Sequence, residues 1–300
     1  MTLDLYGERL AAIPWLHGKE YAVEELTGGL TNVNLRVTFD DRDVVVRMAQ
    51  PGNQLLAINH DHEHHNSLAA AAAGVGAGVV DYFPDAGLLV VEFINGRTFT
   101  DADLPLQLPR VAAACRQLHA GPRFVNDFDM FEIQPGYLAS VQEYGFRLPS
   151  RYLDFLPAVE RIRRAFAVHP EPTVPCNNDL LAGNFIDDGD KLWLIDYEYS
   201  GNNESSFELG NIWSEANLSL DQLEELMTAY DGELLRHRVA RARLWGLMAK
   251  YGWTLWGAIQ DSMSTFDFDF WEWAMEKYDR AVAEFDGPDF ERLLSEAAGG

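Results

Sequence analysis

The chain has 300 residues, 47% of them apolar, enough to bury a sizeable core as one two-lobed enzyme or two modest domains, which excludes a disordered or fibrous chain. With 47 acidic against 23 basic residues the formal charge is −24, so the chain repels a nucleic acid backbone or an anionic membrane and favours cationic ligands. Its two cysteines, Cys115 and Cys176, lie far apart without metal-ligand spacing, which argues against a disulfide framework or zinc knuckle and for a reducing, cytoplasmic setting.

Met1 to Trp15 alternates charged and apolar residues without the basic start and long apolar core of a leader. No window reaches the roughly 18 apolar residues that span a bilayer, so no membrane partner is expected. Strands are expected over Tyr21 to Leu26, Asn34 to Phe39 and Val44 to Met48, with a turn at Gly28 and Gly29 and another at Asp40 to Asp43. Asn59 to Ala73 runs from polar to alanine-rich and stops at Gly74, which predicts a helix; Val79 to Phe83 and Leu88 to Phe93 return to strands. Residues 1–96 are thus expected to form a β-rich lobe, and residues 97–300 a larger helical one, an α+β architecture. In the second lobe helices are expected over Ala102 to Ala120, Leu138 to Tyr144, Pro149 to Phe166, Leu220 to Tyr230 and Leu234 to Met263. A hairpin interrupts them: an apolar run from Asn184 to Ile186, a turn at Asp187 to Asp190, and a strand from Lys191 to Ile195.

That hairpin carries chemistry. Cys176-Asn177-Asn178-Asp179 precedes it, Asn184 opens it, and Asp196-Tyr197-Glu198 closes it. Phosphoryl transfer needs one carboxylate to orient the attacking hydroxyl and take its proton, and oxygen ligands to hold magnesium against nucleotide phosphates. Asp179 suits the first task, Asn184 and Asp196 the second. Asp187 and Asp188 read as turn formers, whereas Asp179 and Asp196 adjoin apolar strands, where a carboxylate without a functional partner is costly.

The run from Cys176 to Glu215 resembles the choline/ethanolamine kinases within the wider aminoglycoside-phosphotransferase and protein-kinase-like group. The resemblance implies a two-lobed kinase-like fold, with ATP as co-substrate and Mg2+ as cofactor. It places the base at Asp179 and the metal ligands at Asn184 and Asp196, and extends from Leu26 to Phe285. One position departs from the family: Asn177 stands where a loop-bracing His is usual. In the first lobe Gly28, Gly29, Thr31 and Asn32 match the nucleotide loop, and Arg47 stands where kinases of this shape place a cation for the phosphates, with Glu63 on the next helix as its partner. Glu92 ends the strand that leads into the inter-lobe hinge, where the nucleotide base would lie. The neighbouring histidines His60, His62, His64 and His65 lack the spacing of zinc hydrolases and read more simply as a polar helix face.

Trp253 and Trp256, three residues apart on a helix, share one face, and aromatic residues around Trp271 and Trp273 follow. Aromatics at this spacing are commonly core, but stacked indoles also attract an ammonium. The family resemblance assigns Trp253, Trp256, Trp273 and Glu215 to a box for the amine of a small amino alcohol. A kinase of the same fold acting on an aminoglycoside, amino sugar or other hydroxyl compound stays open, as do a non-catalytic nucleotide- or amine-binding relative and a homodimer.

Overall fold

Alternation of apolar and polar residues builds the first sheet. β2 (Asn32–Phe39) turns Leu35, Val37 and Phe39 to one face, and β3 (Arg42–Ala49) answers with Val44, Val46 and Met48. Between them Asp40 and Asp41 both take positive φ, 45° and 59°, in a tight turn suited to the twist of paired strands. With β1 (Ala22–Leu26), β4 (Val79–Phe83) and β5 (Leu88–Glu92) they form an antiparallel sheet in the order β1-β2-β3-β5-β4. The computed structural model describes residues 2–26, 29–50 and 53–299.

The inner face of this sheet packs on Leu10, Ile13 and Leu16, a small core of its own. Leu10 ends α1 (Thr2–Leu10), a helix too short for the charged and apolar residues of the N-terminus to announce; Arg9 anchors it by donating to the carbonyls of Ala49, Ala86 and Gly87. α2 (His60–Ala72) starts where cap chemistry predicts, with the Asn59 side chain accepting from the N–H groups of Asp61 and His62.

The larger lobe is built around α8 (Arg236–Met263), which is buried on all sides from Leu244 to Gln260. α6 (Ser205–Glu215) crosses it at Gly210 and Gly246; a Cβ on Gly246 would come 2.7 Å from the Gly210 carbonyl, so only glycine lets the helices approach this closely. α9 (Phe270–Phe285), α10 (Phe290–Gly299), α4 (Met130–Tyr144), α5 (Leu156–Val168) and α7 (Leu220–Asp231) complete the packing on α8, and α3 (Leu108–His119) packs in turn on α7.

Three of these helices, α6, α9 and α10, were not anticipated. α6 is buried around its whole circumference, so it carries no polar-to-apolar period to read. Expected helix starts also moved. α4 begins before Leu138 because the Asp129 side chain caps it, and it runs through Pro135. α3 begins at Leu108 rather than Ala102, with Pro109 in its first turn, where a missing N–H is harmless. α5 begins at Leu156 rather than Pro149, after Arg151 takes a positive φ of 64° that interrupts helix.

The expected hairpin is present as β8 (Phe185–Asp187) and β9 (Leu192–Leu194), joined by β6 (Arg97–Thr98). A second pair, β7 (Thr173–Cys176) with β10 (Gly201–Glu204), brackets it. The architecture is the two-lobed, kinase-like one. Among the described residues no helix is long and apolar enough to cross a membrane.

Candidate active site

The loop after β7 is fixed from beneath by α6. Glu208, fully buried, accepts the backbone N–H of Asn177 at 2.9 Å and of Asn178 at 2.6 Å. Asn178 takes a positive φ of 68°, a conformation asparagine tolerates, and its side chain donates to the Tyr199 carbonyl. Asn177 then ties the two ends of the hairpin together. Its Oδ1 accepts the Asp179 N–H at 3.1 Å, and its Nδ2 donates to the carbonyls of Ile195 at 3.1 Å and Asp196 at 2.7 Å. The bracing task expected at this position is therefore performed by asparagine. Glu208 escaped the sequence reading, lying in a helix that was itself not anticipated.

Behind the loop, Cys176 Sγ lies 3.6 Å from His119 Nε2, which lies 3.7 Å from Glu208 Oε1. The trio is close enough to hold a metal. Its polar atoms are already engaged, however, Glu208 by two amides and His119 Nδ1 by the Tyr230 hydroxyl at 2.7 Å, so it serves as a buried brace. The linear spacing of Cys176 carries no trace of this proximity.

Asn184 Nδ2 donates to the Asp179 carbonyl at 2.7 Å, which fixes the amide and directs its oxygen elsewhere. Asp196, at a positive φ of 65°, accepts Arg47 Nη2 on Oδ1 at 2.6 Å. An amide oxygen and a carboxylate at the two ends of one hairpin are hard oxygen donors of the kind magnesium takes, so these residues fit that ion. Burial pushes the Asp179 carboxyl up, the Asp196 and Glu215 carboxylates push it further, and Lys277 opposes them.

Across the cleft, Arg47 forms the expected pair with Glu63, Nε to Oε1 at 2.9 Å, and bonds Asp196 as well. Burial works against the Arg47 charge, yet Asp196, Glu63 and Glu198 together hold its pKa above the ordinary value. Burial alone would raise the Glu63 carboxyl; Arg47 and His60 outweigh it and hold it low. Glu198, given no role by sequence, accepts Thr31 Oγ1 and Asn32 Nδ2, both at 2.6 Å. The side chains of Thr31 and Asn32 therefore latch the glycine-rich turn to the larger lobe. The Gln260 side chain adds a bond to the Leu30 carbonyl at 3.1 Å. A Cβ on Gly29 would fall 2.8 Å from the Asn32 carbonyl, so the turn there needs glycine. Gly28 lies outside the described residues. Glu92 is exposed at the end of β5, and its N–H bonds the Gly78 carbonyl at 2.7 Å.

The expected aromatic residues meet. Trp256 on α8 lies 5.2 Å from Trp273 on α9, centroid to centroid, and its indole N–H donates to the Tyr199 hydroxyl at 2.6 Å. Tyr199 in turn meets Trp253 edge-on at 5.1 Å, and Trp253 Nε1 donates to Asn211 Oδ1 at 3.2 Å. Tyr199 is a wall of this cluster that sequence reasoning did not count. Glu215 departs from expectation: Oε2 is paired at 2.5 Å with Nζ of Lys277, a buried residue not singled out from the sequence.

The chain matches the family model described as choline/ethanolamine kinase over residues 23–241. A crystal structure of a choline/ethanolamine kinase family protein from Mesorhizobium loti aligns with a TM-score of 0.87 and 33% identity over 100% of both chains. Ethanolamine kinase 2 of Rattus norvegicus is 32% identical over 130 residues, 36% of this chain and 34% of that protein, so the match spans about a third of its length. A probable ethanolamine kinase of Arabidopsis thaliana is 25% identical over 295 residues, 83% of this chain and 76% of that one. With the family pattern covering most of its length and that pattern's loop folded into a braced hairpin, the chain belongs to the choline/ethanolamine kinase family.

Proposed function

We propose that this chain is a kinase that transfers the γ-phosphoryl group of ATP to the hydroxyl of a small amino alcohol of the choline or ethanolamine class. The observation that carries this reading is the Asn177 side chain, which binds the Asp179 amide and the Asp196 carbonyl at once and so locks the candidate base to a candidate metal ligand. In this reading Asp179 aligns the acceptor hydroxyl and takes its proton. Arg47, oriented by Glu63, and the backbone around Gly29 position the phosphates. Asn184 and Asp196 would hold Mg2+, which supplies neutralisation of phosphate charge when bound. Trp253, Trp256, Trp273 and Tyr199 form the wall against which the amine rests.

The nucleotide lobe is assigned to residues 1–96 and the catalytic lobe to residues 97–300, a division supported by Arg97 and Thr98 pairing with β8 of the catalytic hairpin. Two buried free thiols, Cys115 and Cys176, suit a reducing, cytoplasmic setting. The test is ATP consumption with magnesium across ethanolamine, choline, other amino alcohols, amino sugars and aminoglycosides. Saturable turnover with ethanolamine or choline is expected; turnover confined to sugars would overturn the substrate class, and none with any acceptor would overturn the reading.

A further inference from the structure

We propose that Lys277 sets acceptor selectivity in this chain: its ammonium takes the seat a quaternary amine would need, so the box selects primary amino alcohols over trimethylated ones. The inference rests on the cleft being an amino-alcohol kinase site. Lys277 is 3% exposed and lies on α9, one turn beyond Trp273. Its Nζ sits 2.5 Å from Glu215 Oε2 and 4.2 Å from the centre of the Trp273 ring. A carboxylate on one side and an indole face on the other are the two attractions by which a protein holds a ligand ammonium. Here both are already engaged by a side chain of the protein.

Two buried polar atoms beside the box are left unpaired. Glu215 Oε1 and, one turn earlier on α6, Asn211 Nδ2 have no hydrogen-bond partner. A buried polar atom left unpaired is costly, so a ligand that pairs one gains by it. A primary ammonium, like that of lysine, carries three N–H donors and can bond Glu215 Oε1 beside Lys277. A trimethylammonium has no donor, is bulkier, and would place a second cation beside Lys277 with no hydrogen bond to compensate. The selectivity therefore arises from a resident cation in an otherwise cation-attracting box.

The test compares kcat/KM for ethanolamine and choline, at saturating ATP, in the natural chain and in Lys277→Met, which removes the charge and keeps an unbranched apolar chain. The natural chain should prefer ethanolamine, and Lys277→Met should move the ratio at least tenfold toward choline through a lower choline KM. An unchanged ratio, or a natural chain that already prefers choline, would overturn the inference and leave the kinase reading intact. Turnover of neither amine would overturn the kinase reading itself, and the inference with it. Should Lys277→Met fail to fold, the natural chain still decides: choline must inhibit ethanolamine turnover only at concentrations well above the ethanolamine KM, and equal affinity would contradict the role of Lys277.

Discussion

The catalytic loop and the acceptor box are held by different kinds of contact. In the loop, side chains hold backbone: Glu208 takes two amides, Asn177 takes an amide and two carbonyls, and Asn184 takes the Asp179 carbonyl. In the box, side chains hold side chains: Trp256 bonds Tyr199, Trp253 bonds Asn211, and Lys277 bonds Glu215. Contacts to backbone fix where a reacting group stands whatever the acceptor is. Contacts among side chains change with single substitutions, which is where a family sharing one chemistry alters its substrate.

The largest effect that could break this comparison is at the base. Asp179→Asn should lower kcat by roughly 10²- to 10⁴-fold with every acceptor while leaving ATP affinity, measured by calorimetry, nearly unchanged. A loss confined to one acceptor would move Asp179 from the loop's function to the box's. Next comes Asn177→Ala, which frees Asp179 and Asp196 from each other; displacement of a positioned group can cost up to about 10²-fold, and the loss should again fall on kcat for all acceptors alike. Trp253→Ala should act in the opposite manner, raising the acceptor KM about tenfold and the ATP KM far less, the scale of one lost cation–aromatic contact. Equal effects on both substrates would mean that Trp253 serves the core and not the box.

The smallest effect sharpens the comparison at the outer end of the hairpin, away from both regions. Arg110 bonds both oxygens of Asp187 and, with the Gly189 N–H, depresses its pKa to about 2. Because the folded value lies below the ordinary value of about 3.9, the contribution to stability is present at neutral pH and fades as pH falls from about 4 toward 2. The difference in thermal midpoint between the natural chain and Arg110→Ala should be small, follow that course, and leave kcat untouched.

What the sequence disclosed follows the same division. Asp179, Asn184 and Asp196 stand in one contiguous run around a short hairpin, so their spacing could be read directly, and the Arg47–Glu63 pair was located by the family resemblance. Glu208, Tyr199 and Lys277 could not be read so, because each acts through partners far away in the chain: Glu208 through the loop after β7, Tyr199 through α8 and Lys277 through α6. α6 itself was hidden by burial on every side, which erases the period that marks a surface helix. Glu215 was located by resemblance, but its partner was not, since Lys277 looks like any other lysine among the acidic residues of α9.

The account stands most directly on the fate of the phosphoryl group. Phosphorus-31 NMR of the full chain with ATP, magnesium and ethanolamine should show a new phosphomonoester resonance growing in step with ADP, and both products far more slowly with Asp179→Asn. ADP accompanied only by inorganic phosphate would contradict transfer to an amino alcohol hydroxyl, whatever the order in the loop.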